Sequence, residues 1–242
     1  MNLEMITSLH YLRYFLSFLS LLLLFSACGG NETRQRIETE EPSAGPPARQ
    51  ANPSSESDKV IVFFGNSLTA GYGLEPEQSY PALIQRRLDS LGYDYRVVNA
   101  GVSGETSTGG DSRIDWVLNQ PVDIFVLELG GNDGLRGIPP VETRKSLQSI
   151  IDKVQQKAPE ADIILAGMQI PPNMGPEYTE EFRRIYPELA EKNDIILLPF
   201  LLKGVGGEPE FNQPDGIHPN EEGTKVVAEN VWKVLESLLE KS

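Results

Sequence analysis

Ser67, Asp215 and His218 have the side-chain types that cooperate in nucleophilic catalysis. Asp215 precedes His218 by three residues, so one tight turn would bring its carboxylate to Nδ1 and leave Nε2 free to face Ser67. Acyl transfer needs a hydroxyl, an imidazole that takes its proton and a carboxylate that orients the imidazole. Pro219 favours an extended backbone at His218 and helps to define the turn. These side chains are therefore candidates for nucleophilic acyl transfer.

Each candidate also has a structural interpretation. A lone histidine is often a surface or core residue, and a serine often caps a helix or a turn. His218 is one of two histidines, and the other, His10, lies near the amino terminus. The aspartate before His218 favours the catalytic interpretation. The chain lacks Gly-x-Ser-x-Gly, so the nucleophile elbow of α/β-hydrolases is not expected.

Alternating strands and helices must position these side chains. Apolar runs at 60–64, 95–99, 123–129, 162–168 and 194–200 suit strands that are buried on both faces. Amphipathic stretches at 80–91, 141–157 and 221–241 suit helices. The alternation predicts an α/β fold, a three-layer α/β/α sandwich with a five-stranded parallel sheet. Ligands of such sheets bind beyond the carboxyl ends of the strands.

Polar and glycine-rich segments follow the predicted strands at that edge. They are 65–69, 100–105, 130–133 and, past a glycine-rich loop, 215–219. Backbone N–H groups next to glycine can approach a ligand closely, which suits donors to an oxyanion. The hydroxyl, imidazole, carboxylate and oxyanion donors are thus expected at one edge of the sheet.

Four blocks resemble the SGNH, or GDSL, esterase/lipase superfamily. They are FFGNSLTAGYGL (63–74), NAGVSGETSTGG (99–110), LELGGNDGLRG (127–137) and DGIHPN (215–220), in the order expected for that superfamily. The residues GGNDGLRG and DGIHPN in the third and fourth blocks are particularly similar to those of the bacterial thioesterase I, lysophospholipase and arylesterase branch. The resemblance implies a flavodoxin-like SGNH hydrolase fold over 59–242 and an ester hydrolase without a cofactor.

The resemblance also implies a role for each matching residue. Ser67 is expected to be the nucleophile, His218 the base and Asp215 its orienter. The Ser67 N–H, the Gly104 N–H and the Asn132 side chain are expected to form the oxyanion hole. Members usually carry Asp where this chain has Asn66, and we expect the local geometry to survive because Asn keeps an acceptor oxygen.

Composition excludes several other classes of function. Lys and Arg number 21 against 35 Asp and Glu, a formal charge of −14, and no basic run offers a nucleic-acid surface. One Cys and two His cannot form a zinc or iron–sulfur site, and no segment resembles an EF-hand loop. We therefore expect no metal site and no nucleic-acid partner, while oxygen ligation of Ca²⁺ or Mg²⁺ and the identity of protein partners are left open by the sequence.

The amino terminus resembles a bacterial lipoprotein signal. The apolar run 14–27 is shorter than the roughly 20 residues that span a bilayer, and it ends in Phe-Ser-Ala before Cys28. We expect 1–27 to be a signal peptide, Cys28 to be lipidated, and 28–58 to form a disordered tether to the hydrolase domain. An ordinary secretory signal or an uncleaved anchor is the alternative. The expected location is the bacterial cell envelope, with the hydrolase domain periplasmic or extracellular.

The substrate is left open by the sequence. Aryl esters, acyl thioesters and lysophospholipids all fit the resemblance. The apolar loop 169–176 either lines an acyl-binding groove, with Tyr72 and Leu74 opposite, or is a plain surface loop. A carbohydrate O-deacetylase on the same fold and a non-catalytic surface-binding lipoprotein are the alternative functions.

Overall fold

A five-stranded parallel sheet lies at the centre of residues 59–241, the part of the chain that the computed structural model describes. The strands are β1 (Lys59–Gly65), β2 (Tyr95–Gly101), β3 (Ile124–Glu128), β4 (Asp162–Ala166) and β5 (Ile196–Leu198), in the order β2-β1-β3-β4-β5. Every residue of β3 is buried, and so is all of β1 after its first residue. Burial on both faces explains why these strands are continuously apolar. The predicted α/β fold with five parallel strands is confirmed.

Helices connect the strands and cover the sheet. Within residues 59–241 they are α1 (Ser67–Ala70), α2 (Tyr80–Leu91), α3 (Ser107–Val117), α4 (Gly131–Leu135), α5 (Pro140–Lys157), α6 (Pro176–Asn193) and α7 (Glu221–Leu235). Helix α2 packs against α7, and α5 packs against both α3 and α6. None of the helices in this part of the chain is long and apolar enough to cross a membrane.

Several predicted bounds differ from the structure. The last helix ends at Leu235 instead of 241, because the residues beyond it offer no further buried stripe. Strand β5 spans only Ile196–Leu198 instead of 194–200. Asp194 has a left-handed backbone (φ 52°) that ends α6, and Pro199 lacks the N–H that would continue a ladder. Helix α2 is confirmed at its predicted bounds.

The three neighbouring strands β2, β1 and β3 end level with one another. Gly65, the last residue of β1, is paired with Gly101 of β2 and with Glu128 of β3. The segments that follow these strands therefore begin side by side. This register brings the loops of the candidate site to one edge of the sheet, as the sequence predicts.

Candidate active site

Ser67, His218 and Asp215 form a hydrogen-bonded series. Ser67 opens helix α1 directly after β1, and its Oγ lies 3.0 Å from His218 Nε2. His218 Nδ1 lies 2.7 Å from Asp215 Oδ2. The structure thus brings together three residues that the sequence places as far as 151 positions apart. A hydroxyl, an imidazole and a carboxylate in this order can generate a serine nucleophile.

The loop that carries Asp215 and His218 is held by its own backbone. Asp215 Oδ1 accepts hydrogen bonds from the N–H groups of Ile217 at 2.9 Å and His218 at 3.0 Å. These bonds, first the backbone N–H and then the imidazole of His218, lower the pKa of Asp215 to about 2. The carboxylate is therefore ionised at neutral pH and can accept a hydrogen bond from Nδ1–H, which fixes the tautomer with Nε2 facing Ser67.

Tyr72 lies against the imidazole of His218. The two ring centroids are 4.5 Å apart with the planes at 39°, and Tyr72 is 53% exposed. Gln213 Nε2 donates to the carbonyl oxygens of Tyr72 at 2.7 Å and Pro219 at 3.0 Å, which joins the loop after α1 to the loop of His218. The sequence offered no signal for this contact beyond the nearness of Tyr72 to Ser67.

An apolar cavity of about 470 Å³ opens beside Ser67 and His218. Its lining includes Asn132 and the side chains of Leu135, Met168, Ile170, Phe200, Leu202 and Ile217. Gln169, Ile170 and Pro171 reach it, in agreement with a groove role for that loop. The expectation that Tyr72 and Leu74 lie opposite is wrong. Neither residue lines this cavity; both line a smaller adjoining pocket that shares Ser67 and His218 with it.

A hydrogen bond from Asn132 to Glu105 joins the segments that carry Asn132 and Gly104. Asn132 lines the cavity with Ser67 and His218, and its Nδ2 donates to Glu105 O at 2.9 Å. Gly104 does not line the cavity; it precedes Glu105 in a turn with φ 81°, and its carbonyl oxygen accepts from Arg136 Nη2 at 2.9 Å. The two predicted oxyanion donors therefore belong to adjacent, hydrogen-bonded segments.

Asp133 lies below the site as a buried structural acceptor. It accepts hydrogen bonds from the N–H of Ser107 at 2.9 Å, from the Ser107 hydroxyl, and from Thr143 Oγ1 at 3.3 Å. It therefore joins the starts of α3, α4 and α5. Asn132 lines the cavity, whereas the carboxylate of Asp133 is fully buried.

Sequence reasoning missed Glu128, which ends β3 directly behind the turn that carries Ser67. Its carboxylate is fully buried and accepts from Asn66 Nδ2 at 2.8 Å, from Asn66 N at 3.1 Å and from Thr69 Oγ1 at 2.8 Å. Burial raises the pKa of Glu128 to about 7, and these hydrogen bonds oppose the shift. A single acidic residue inside an apolar strand was the signal that could have identified it.

Two further predictions concern the lipidation site and metal binding. Cys28, the predicted lipidation site, is outside the described residues. Within residues 59–241 no group of three or more His, Cys, Asp and Glu side chains is arranged to hold a metal ion.

Comparison with known proteins shows the family and the fold of this chain. Residues 63–226 match the GDSL-like Lipase/Acylhydrolase family. The esterase TesA of Pseudomonas aeruginosa is 44% identical over 182 residues, which are 75% of this chain and 90% of that protein. The thioesterase 1/protease 1/lysophospholipase L1 of Escherichia coli K12 is 40% identical over 181 residues, 74% of this chain and 85% of that protein. A crystal structure of TesA has a TM-score of 0.71 at 44% identity and covers 75% of this chain and 100% of its own.

Proposed function

The chain belongs to the GDSL-like lipase/acylhydrolase family and is an ester hydrolase of that type, and on this premise we propose that it cleaves acyl esters or thioesters through an acyl-enzyme on Ser67. The observation that carries the proposal is the series from Ser67 Oγ to His218 Nε2 (3.0 Å) and from Nδ1 to Asp215 (2.7 Å), beside an apolar cavity.

The proposed reaction has two halves. Ser67 Oγ attacks the carbonyl carbon of the substrate while His218 Nε2 takes the hydroxyl proton. Nε2 then gives that proton to the leaving oxygen or sulfur, the bond from that atom to the acyl carbon breaks, and the acyl group stays on Ser67. A water molecule, deprotonated by the same nitrogen, attacks the acyl-enzyme, and the carboxylic acid leaves as Ser67 recovers its proton. Asp215 remains ionised and stabilises the imidazolium in both halves.

The proposed oxyanion hole consists of the N–H groups of Ser67 and Gly104 and the side chain of Asn132. An amide nitrogen carries two hydrogens, and Glu105 O accepts only one of those on Asn132 Nδ2. The second hydrogen is free to meet a substrate oxygen, while the first holds the amide in place. Such preorganisation makes a donor effective, because it need not reorient as negative charge develops.

The cavity supports an apolar acyl group as the substrate moiety. Its volume of about 470 Å³ lies within the range usual for small-ligand pockets, and the surface of its lining is mostly apolar. An acetyl group would leave most of this apolar surface wet, whereas a longer chain would remove it from water. The proposed substrates are therefore esters or thioesters with a medium or long acyl chain, and a carbohydrate O-deacetylase is the less favoured alternative.

Two assays on the purified protein test this proposal. The first is labelling with a fluorophosphonate, which should modify the wild type and fail with Ser67→Ala. The second compares p-nitrophenyl esters of increasing acyl length with acetylated sugars, and kcat/KM should rise from acetyl to longer chains. Absence of both labelling and hydrolysis would leave a non-catalytic binding protein, and a preference for acetylated sugars would leave the deacetylase.

We also propose that Cys28 carries a lipid anchor and that the hydrolase domain faces the periplasm or the exterior of a bacterial cell. The short apolar run 14–27 and the small residues before Cys28 support this. Stable anchoring needs two or more acyl chains, because a single chain binds a membrane only marginally.

A further inference from the structure

The carboxylate of Glu128 is the buried acceptor of the turn that presents Ser67. Both of its oxygens are used: Oε1 accepts from Asn66 Nδ2, and Oε2 accepts from Asn66 N and Thr69 Oγ1. Glu128 therefore holds the residue before Ser67 by both its backbone and its side chain. It also reaches the middle of helix α1 through Thr69.

Close packing leaves this arrangement little freedom. A Cβ atom at Gly65 would lie 2.5 Å from Glu128 Oε2 and 2.1 Å from Thr69 Oγ1, so only glycine leaves room for the carboxylate. The Thr69 hydroxyl also lies 2.8 Å from the buried Tyr80 hydroxyl. Neither the carboxylate nor its donors can shift without a clash or an unpaired polar group.

Glu128 also decides which way the Asn66 amide points. An ionised carboxylate only accepts, so Asn66 must turn its Nδ2 towards Glu128. Its Oδ1 then faces the other way, where it accepts from Leu68 N at 2.9 Å as the N-cap of α1 and lies 3.4 Å from Ser67 Oγ. Ser67 Oγ is closer to His218 Nε2, at 3.0 Å. The orientation of the Asn66 amide thus determines that an acceptor oxygen, and not an NH₂ group, lies next to the Ser67 hydroxyl.

We propose that Glu128 is a positioning residue for the nucleophile: acting through Asn66, it holds the Ser67 hydroxyl in line with His218. This inference rests on the proposed role of Ser67. Glu128 does not line the cavity, so it acts on the reaction only through its hydrogen bonds to Asn66 and Thr69. A purely structural role would alter the stability of the protein without altering the reactivity of Ser67.

The first variant is Glu128→Gln, which keeps the shape of the side chain but replaces one acceptor by a donor. The new NH₂ group can face Asn66 Nδ2, or it can face the backbone N–H of Asn66 and the Thr69 hydroxyl; in both cases two hydrogen-bond donors face each other. If the Asn66 amide rotates to present its oxygen to the NH₂ group, its Nδ2 faces the backbone N–H of Leu68 and the helix cap is lost. We therefore expect every orientation to displace the turn that carries Ser67. We expect kcat to fall about 10- to 100-fold with KM nearly unchanged, because small misplacements of reacting groups have effects of this size.

The second variant exchanges the two functional groups. In Asn66→Asp/Glu128→Gln, the new amide can donate to the new carboxylate, while its own oxygen accepts from the backbone N–H of residue 66 and from Thr69. The new carboxylate keeps an acceptor for Leu68 N. The three hydrogen bonds between these groups can then form again, one of them with donor and acceptor exchanged, so kcat should recover at least fivefold over Glu128→Gln. Asn66→Asp alone completes the cycle; its two adjacent carboxyl groups can share one proton, so its kcat should exceed that of Glu128→Gln.

Asp123→Asn is the matched control, because Asp123 makes a comparable contact at the opposite end of the same pair of strands. Asp123 Oδ2 accepts from Val60 N at 2.7 Å, just before β3 and at the start of β1. This variant also removes a carboxylate that accepts a β1 backbone N–H, but far from Ser67. It should change the melting temperature and leave kcat unchanged.

For all variants we would measure kcat, KM, the melting temperature and the second-order rate of fluorophosphonate labelling of Ser67. Assays at a pH of about 8 keep Glu128 ionised, since burial raises its pKa to about 7. The expected result is a parallel fall of kcat and labelling rate in Glu128→Gln, with recovery in the exchanged variant. Unchanged labelling in a folded Glu128→Gln, or no recovery in the exchanged variant, would overturn the proposal.

Two other outcomes are also decisive. If Glu128→Gln does not fold, the comparison is made between Asn66→Asp and the exchanged variant, and a labelling rate well below wild type in the latter overturns the proposal. If the wild type itself resists labelling while it hydrolyses esters, the proposed nucleophile is wrong and the positioning role falls with it. The failure of each proposal is therefore recognised by a different measurement.

Discussion

Asn132 is the residue whose contacts most directly test the proposed mechanism. One hydrogen of its Nδ2 is held by Glu105 O at 2.9 Å, and the side chain lines the cavity next to Ser67. If the other hydrogen meets the oxyanion, its bond strengthens only as the tetrahedral intermediate forms. Asn132→Ala should then lower kcat about 10²- to 10³-fold and leave KM nearly unchanged. Steady-state kinetics on the folded variant measure this, and a loss of only a few-fold would remove Asn132 from the oxyanion hole.

Asp133, the next residue, provides a contrasting prediction. Its carboxylate accepts from Ser107 and Thr143 inside the protein, away from the cavity. Asp133→Asn replaces one acceptor by a donor among these groups, and about 1 to 3 kcal/mol of unfolding free energy should be lost, the usual range for an unsatisfied buried polar group. The effect on kcat should be much smaller than that of Asn132→Ala. Denaturant unfolding together with kinetics would reveal the reverse pattern if the two roles were exchanged.

The loop after α1 packs against the loop that carries His218 and supports it. The ring of Tyr72 lies 4.5 Å from that of His218, and Gln213 joins the two loops. An aromatic pair contributes about 0.5 to 1.5 kcal/mol, so removal of the ring by Tyr72→Ala should lower kcat about 2- to 10-fold. Tyr72→Phe keeps the ring and should retain nearly all activity. Equal losses in both variants would point to the hydroxyl instead of the stacking.

Helices differ in how far their sequences reveal them. Helix α2 was predicted at its exact bounds because four apolar residues form one stripe and Gly92 follows as a left-handed cap. Helix α3 was missed, since its first turns contain Gly109 and Gly110. Helix α6 was missed as well and contains Pro187 in its interior. Both helices form because they bury apolar side chains, and such burial is a property of the tertiary structure.

Glu128 should make the stability of the protein depend on pH. Burial raises its pKa from 4.5 to about 7. Between these two pH values, the folded state therefore binds more protons than the unfolded state. The unfolding free energy should therefore fall as the pH rises from 4.5 to about 7, by an amount on the order of 3 kcal/mol for this group. Denaturant unfolding at several pH values measures the slope.

The charge-free variant Glu128→Gln is the reference for that slope. The contribution of Glu128 should be missing from this variant, so the unfolding free energies of wild type and variant should diverge across this range of pH.

Asp215 acts in the opposite direction at lower pH. Its pKa is lowered to about 2 from 3.8, so the stability that it contributes is present above 3.8 and is lost as the pH falls towards 2. For Glu128, parallel curves of unfolding free energy for the wild type and Glu128→Gln between pH 4.5 and about 7 would contradict its proposed contribution.

The location of the whole molecule depends on its amino terminus. If Cys28 carries the proposed lipid anchor, Cys28→Ser should move the protein from the membrane fraction to the soluble fraction, because the anchor needs the thiol. Fractionation of the producing bacterium, followed by an esterase assay on each fraction, measures this. The catalytic domain is unchanged in this variant, so total activity should be retained. Unchanged partition into membranes would contradict lipidation at Cys28.

The fold class and the candidate residues Ser67, Asp215, His218 and Asn132 could be predicted from the sequence, because strand periodicity and short motifs are local properties of the chain. Which of the side chains come into contact depends on the tertiary structure. Glu128 lies behind Asn66 because β1 and β3 pair in one register, although the two residues are 62 positions apart. Tyr72 lies on His218, and not across the cavity, because the chain turns back at Gly71. Contacts of this kind depend on register, close packing and the pairing of buried polar groups, and no periodicity along the chain encodes them.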